Sequence, residues 1–135
     1  MITGFTCSAF DLLHPGHIVM LEECKNNCDY LIVGLHTDPT IDRPNDKQRP
    51  VQSVFERYVQ LTGCKFVDKI IPYDTEKDLE NMVATLRINI RFLGDEYKSV
   101  PFTGKDICEY RGIKIFFNSP RIYSYSSTDL RKRTK

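Results

Sequence analysis

Short apolar runs alternate with stretches of helical period along this chain, and that alternation limits its fold more than any other feature. Residues 2–7, 30–35, 66–72, 90–93 and 113–117 are short and rich in Ile, Val, Leu, Phe and Tyr. Nearly continuous apolar character over so few residues marks central strands buried on both faces. Between them Ile18, Leu21, Cys24 and Cys28 step by three and four, while Leu79, Met82, Val83 and Leu86 repeat at i, i+3, i+4 and i+7. Each set paints one face of a helix. Strands and helices taking turns in this way predict an α/β fold built on a parallel sheet.

The chain has 135 residues, about one domain's worth, and 41% of them are apolar, enough for one real core. The expectation is a single Rossmann-like domain over residues 1–135, with a five-stranded parallel sheet and helices on both faces. Two helix starts carry their own signatures. Ser53-Val54-Phe55-Glu56 and Thr75-Glu76-Lys77-Asp78 each set a hydroxyl three residues before a carboxylate, so the orphan N–H groups of the first turn are satisfied reciprocally. Ser126-Ser127-Thr128-Asp129 predicts a third start, of a final short helix. The stretch 38–50 carries Pro39, Pro44 and Pro50 with little apolar content, which predicts a mobile loop.

Charge and cysteine usage exclude several function classes. Net charge is +1, yet Arg131, Lys132, Arg133 and Lys135 supply four positive charges at the C-terminus, leaving a mildly acidic body. Such a body offers duplex nucleic acid no broad basic face, so no nucleic-acid partner is expected. No segment nears 18 consecutive apolar residues and the N-terminus has no leader pattern, so neither export nor membrane insertion is expected. Five cysteines, an odd number spread through apolar-periodic segments, suit reduced core thiols, and the expected location is the cytoplasm.

The densest chemistry lies between the first strand and the first helix, in Phe10-Asp11-Leu12-Leu13-His14-Pro15-Gly16-His17. In open parallel sheets, ligands bind beyond the carboxyl ends of the strands, where a helix N-terminus offers free N–H groups and partial positive charge to an anion. Gly16 lets a ligand approach the backbone, Pro15 presets φ at the start of the helix, and His14 and His17 add imidazole donors. A phosphate chain is the natural guest, although a His-x-x-His pair can also merely pack and cap. A zinc site from His14, His17, Cys24 and Cys28 is disfavoured, because both cysteines fall on the apolar face of Ile18 and Leu21. No metal-ligand set is therefore assigned.

This block resembles the His-x-Gly-His signature of the nucleotidyltransferase superfamily, and looks closest to the cytidylyltransferases. Similar blocks follow in family order: Cys28-Asp29-Tyr30-Leu31-Ile32-Val33-Gly34, Glu56-Arg57-Tyr58, Cys64-Lys65-Phe66-Val67-Asp68 and Gly94-Asp95-Glu96. Arg121 followed by Ser126-Ser127-Thr128 resembles the family's second signature, although Ser8-Ala9 stands where the family has Gly-Thr.

The resemblance implies transfer of CMP from CTP to a small phosphorylated alcohol, glycerol-3-phosphate or a related polyol phosphate, with release of pyrophosphate. Adenylyl transfer to a sugar phosphate, phosphoethanolamine or phosphocholine cytidylyl transfer, and a nucleotide-binding module without activity are the alternatives. It further implies His14, His17 and Arg121 as catalytic groups. Ala9, Phe10, Asp11, Gly16, Lys47, Arg57, Asp95, Ser126, Ser127 and Thr128 would contact the nucleotide, and Lys77 the acceptor. Mg2+ would arrive bound to the triphosphate, and the enzyme would be a homodimer.

Overall fold

The structure, a computed structural model, describes residues 1–120. Five parallel strands form one sheet: β1 (Thr3–Ser8), β2 (Tyr30–His36), β3 (Lys69–Tyr73), β4 (Ile90–Leu93) and β5 (Lys114–Phe117). Their spatial order is β3-β2-β1-β4-β5. The chain winds outward from β1 to β3, crosses back, and continues from β4 on the other side of β1. Helices α1 (Pro15–Asn26) and α2 (Val54–Thr62) precede that crossing, while α3 (Glu76–Thr85) makes it and α4 (Lys105–Arg111) follows it. Right-handed crossovers wound in opposite directions from one central strand place the two helix pairs on opposite faces.

Side-chain alternation confirms the two layers. Leu31, Val33 and Leu35 of β2 join Leu21, Cys24 and Leu61 in one buried cluster, while Ile32 joins Phe5, Leu79, Val83 and Cys108 in the other. Strands buried on both faces are why their sequences read as unbroken apolar runs. The caps of α2 and α3 form as their sequences require. Ser53 Oγ accepts the Glu56 N–H at 3.1 Å and Thr75 Oγ1 accepts the Asp78 N–H at 3.1 Å.

Three expectations change. The third strand starts at Lys69 instead of residue 66, because Val67 N–H closes a turn onto the Cys64 carbonyl after α2. Helix α4 was not anticipated; Gly104 and Gly112, at φ of 85° and 72°, bound a segment whose buried residue is Cys108 alone, too little apolar signal to show a period. The loop 38–50 is anchored as well. It contains a 3-10 turn, Pro39–Ile41, and Asp42 Oδ2 accepts the Glu76 N–H at 2.6 Å. The five cysteines are free thiols, with Cys24, Cys64 and Cys108 buried. Among the described residues no helix is long and apolar enough to cross a membrane.

Gly4 in β1 shows how tightly the layer over α1 is packed. A Cβ there would sit 2.4 Å from the ring of Phe92 and 3.0 Å from Cys28 Sγ. Phe92 is 1% exposed and cannot turn aside freely. Gly4→Ala is expected to cost about 1–3 kcal/mol by overpacking, read as a lower urea midpoint with an unchanged slope.

Candidate active site at the crevice between β1 and β4

The reversal of strand order at β1 opens a crevice at the carboxyl ends of β1 and β4, the point where open α/β sheets bind ligands. A cleft of about 1170 Å³ occupies it. Its walls are Thr6 to Asp11 at the end of β1 and just after it, Gly16 and His17 at the start of α1, Lys47 with its neighbours from the loop after β2, Gly94 to Tyr97 after β4, and Asn118 to Pro120 after β5.

At the start of α1 the two imidazoles cap the helix and each other. His14 Nδ1 accepts the Gly16 N–H at 3.0 Å, and His17 Nδ1 accepts the His14 N–H at 3.3 Å. The rings stack with centroids 3.9 Å apart, and the edge of Phe10 meets His17 at 5.5 Å. A nitrogen that accepts an N–H carries no proton, so the proton of each neutral ring sits on Nε2. One arrangement thus closes the helix terminus and fixes the tautomer of both rings. His17 stands on the cleft wall; His14, 4% exposed, lies behind it.

The loop leading to this helix is held in a costly shape. Phe10 and Leu12 adopt φ of 50° and 52°, the left-handed region that side chains other than glycine seldom occupy. Three hydrogen bonds compensate. Asp11 Oδ2 and Oδ1 accept the N–H groups of Val51 and Gln52 at 2.8 and 2.9 Å, and Gln52 Oε1 accepts the Leu12 N–H at 2.8 Å. Asp11 therefore orders the loop through its carboxylate, joining it to the segment that leads into α2.

Two residues expected at the substrates lie elsewhere. Arg57, 1% exposed and off the cleft wall, gives its Nη1 to the carbonyls of Ala9 and His36, its Nη2 to Thr37 and its Nε to Gln52. Burial lowers its pKa, while the charges of Asp11 and Asp38 act to raise it. Four hydrogen bonds to backbone carbonyls make it a brace of the crevice. Lys77 points off the exposed side of α3, 3.7 Å from Glu80, away from the cleft. Ala9, Phe10, Gly16, Lys47 and Asp95 do line the cleft; Asp95 also pairs with Lys98 at 2.8 Å. Arg121, Ser126, Ser127 and Thr128 lie outside the described residues.

The wall also holds groups that sequence reasoning missed: Cys7, His36, Tyr73, Glu76 and Arg91. All but Glu76 sit inside strands, His36 and Tyr73 one residue beyond the predicted ends, and Glu76 read as part of a cap. On the wall Arg43, Lys47 and Arg91 stand among six carboxylates, those of Asp11, Glu23, Asp46, Glu76, Asp95 and Glu96, and among the described residues Arg91 is ion-paired to none of them. A helix terminus with free N–H groups can attract an anion without net positive charge around it.

Known proteins share this plan. The family model described as cytidylyltransferase-like matches residues 5–133. The bifunctional protein HldE of Hyphomonas neptunium is 34% identical over 132 residues, covering 98% of this chain and 27% of its own length. That of Campylobacter jejuni subsp. jejuni is 39% identical over 103 residues, covering 76% of this chain and 22% of its own. The chain thus spans about a quarter of the length of these curated relatives. Among solved structures, the lipopolysaccharide core biosynthesis protein from Thermoplasma volcanium superposes with a TM-score of 0.73 at 28% identity, over 90% of this chain and 98% of that one. Pantothenate synthetase from Thermus thermophilus, at 13% identity and a TM-score of 0.63 over 98% of this chain and 64% of that one, shares the fold alone. A family match over nearly the whole chain, laid on a parallel sheet with this crevice, makes the chain a member of the cytidylyltransferase-like family of nucleotidyltransferases.

Proposed function

We propose that the chain transfers a nucleotidyl group from a nucleoside triphosphate to a sugar phosphate and releases pyrophosphate, with ATP as donor. The reciprocally capped pair His14 and His17, at a helix N-terminus on the crevice, is the observation that carries the transferase reading. The HldE relatives favour adenylyl transfer to a sugar phosphate, and the likeness to a lipopolysaccharide core biosynthesis protein favours the same acceptor class. Transfer of CMP from CTP to glycerol-3-phosphate is the second reading, favoured by the description of the family model.

A phosphate acceptor is already ionised, so the reaction needs no general base and no enzyme nucleophile. What remains is to align the reacting atoms and to neutralise charge as it spreads over the phosphates. In this reading the terminus of α1 and the Nε2–H of His17 meet the triphosphate, with His14 holding the second imidazole in register. Lys47 reaches in from its exposed loop, and Asp95 lies on the far wall at the nucleoside end. Arg121 and the hydroxyls of Ser126, Ser127 and Thr128, outside the described residues, are assigned to the nucleotide by the family resemblance alone. Mg2+ would enter on the triphosphate oxygens and screen their charge. Among the described residues no group of three His, Cys, Asp or Glu side chains is placed to hold a metal. The reading extends to a homodimer, for which light scattering should give twice the chain mass.

The test is a matrix of four nucleoside triphosphates against sugar, polyol and amino-alcohol phosphates with Mg2+, scored by pyrophosphate. ATP with a sugar phosphate should turn over fastest. His17→Ala should lower kcat about 10²–10³-fold, the usual loss on removing a donor to developing charge. His14→Asn, which preserves a good helix cap, should lower it comparably. Folded variants that turn over like the parent would remove the histidines from the mechanism. Asp11→Asn places an amide nitrogen against one of two backbone N–H donors, and should cost about 1–3 kcal/mol of stability with a higher KM for the triphosphate.

A further inference from the structure

The crevice has a second side, facing α3 and α4. Arg91 of β4 pairs in register with Phe5 of β1, whose ring belongs to the α3–α4 core, so Arg91 rises along that face. It is 2% exposed and still reaches the cleft wall. Its Nη1 donates to the Thr103 carbonyl, and its guanidinium carbon lies 5.2 Å from the centroid of the Phe102 ring. Its Nε has no hydrogen-bond partner, and among the described residues Arg91 makes no ion pair.

No carboxylate of the described residues pairs with it directly, and Cys7, which hydrogen-bonds to it, brings no charge. Burial pushes the Cys7 thiol pKa up and that of the Tyr73 phenol further still, so both are neutral at pH 7. Glu76 commits its oxygens to Arg43 Nη2 at 3.1 Å and Thr103 Oγ1 at 2.9 Å. A buried guanidinium without a counter-charge is costly unless a bound anion compensates it. On β2, with β1 between it and Arg91, His36 is 7% exposed and stacks on Tyr73 with centroids 4.7 Å apart. Its ring bonds to the backbone of Asp74, and desolvation lowers its pKa, so the ring is neutral. Nε2 is buried without a partner, so the N–H given to Asp74 is on Nδ1 and Nε2 keeps an unused lone pair in a residue that lines the cleft.

We propose that this side of the crevice is the acceptor subsite, in which Arg91 holds the acceptor's phosphate through its Nε–H edge and His36 Nε2 accepts a hydrogen bond from an acceptor hydroxyl. The inference rests on the transferase reading and narrows its substrate to a hydroxylated phosphomonoester. Phosphorylated amines fit poorly, since their cation would lie near a buried guanidinium. The placement also satisfies the reaction geometry. With the triphosphate over α1 on the other side of β1, pyrophosphate departs toward the α1 side, and in-line displacement brings the attacking oxygen from the α3–α4 side. An acceptor phosphate oxygen forms the new bond to the α-phosphorus as the bond from that phosphorus to the bridging oxygen breaks. Pyrophosphate leaves with the electron pair, and no other reactant is needed.

Inorganic phosphate is the probe, titrated by calorimetry into the full chain with the nucleotide site saturated by α,β-methylene-ATP and Mg2+. Arg91→Gln should weaken phosphate about tenfold while leaving affinity for the nucleotide analogue unchanged. Arg91→Lys keeps the charge that the fold requires and loses the Nε–H edge, so it should weaken phosphate less and serves where Arg91→Gln does not fold. His36→Phe preserves the stack on Tyr73; it should leave inorganic phosphate unaffected and raise KM for the sugar phosphate about tenfold with the triphosphate KM unmoved. Phosphate bound equally by parent and Arg91 variants overturns the anion site, and an unchanged acceptor KM in His36→Phe overturns the hydroxyl contact. If the parent turns over sugar phosphates while none of these variants moves phosphate or acceptor binding, the inference falls and the transferase reading stands. Phosphate binding that depends on Arg91 in a parent that turns over no acceptor gives the reverse.

Discussion

The crevice depends on one buried cation. Arg57 enters from α2 and donates to the carbonyls of Ala9, His36, Thr37 and Gln52, drawing together the ends of β1 and β2 and the approach to α2. Carbonyls beyond the end of a parallel ladder have no strand to pair with, and burying them unsatisfied would cost about 1–3 kcal/mol each. A planar guanidinium with donors in fixed directions can answer several at once; an ammonium cannot. Asp11 repeats the device with opposite charge, its two oxygens taking the N–H groups of Val51 and Gln52. Between them these two side chains supply donors and acceptors to one stretch of irregular backbone. The left-handed turns at Phe10 and Leu12 persist because this frame holds them.

That frame explains which parts of the molecule the sequence discloses. Strands and helices are legible because period and burial are properties of neighbours along the chain: Ile90 to Leu93 reads as a buried strand and is one. The histidine block is legible because cap, turn and ligand groups fall within eight consecutive residues. Arg57 sits close enough to a family block to suggest a substrate contact, but its partners are carbonyls from residues 9, 36, 37 and 52, and no local pattern records a carbonyl. Lys77 fails for a related reason: its position on α3 turns it outward, toward Glu80. Helix α4 escapes because a seven-residue helix that buries one cysteine has no period to read.

The α3–α4 side of the crevice illustrates the same limit from the other direction. Arg91 interrupts the apolar run Ile90 to Leu93, and a charge inside a central strand is a local inconsistency that a sequence does show. What it could not show is that this guanidinium, buried against Thr103 and Phe102, still forms part of the cleft wall. Such a residue persists in a packed sheet only if something offsets its desolvation, and its contacts with Thr103 and Phe102 leave one donor edge unused.

The two sides of β1 are therefore chemically unlike because they answer to different requirements. On the α1 side the donors are backbone N–H groups and imidazoles whose tautomers are fixed by capping, a set that adjusts to charge redistributing over phosphates without carrying a full charge itself. On the α3–α4 side lie a permanent cation and a neutral ring presenting a lone pair, a set that distinguishes one small molecule from another by where its anion and hydroxyl fall. A parallel sheet that reverses its winding at β1 supplies both from one edge. In the proposed reaction, the topological switch that opens the crevice would also separate leaving group from incoming group, which is the arrangement that in-line displacement requires.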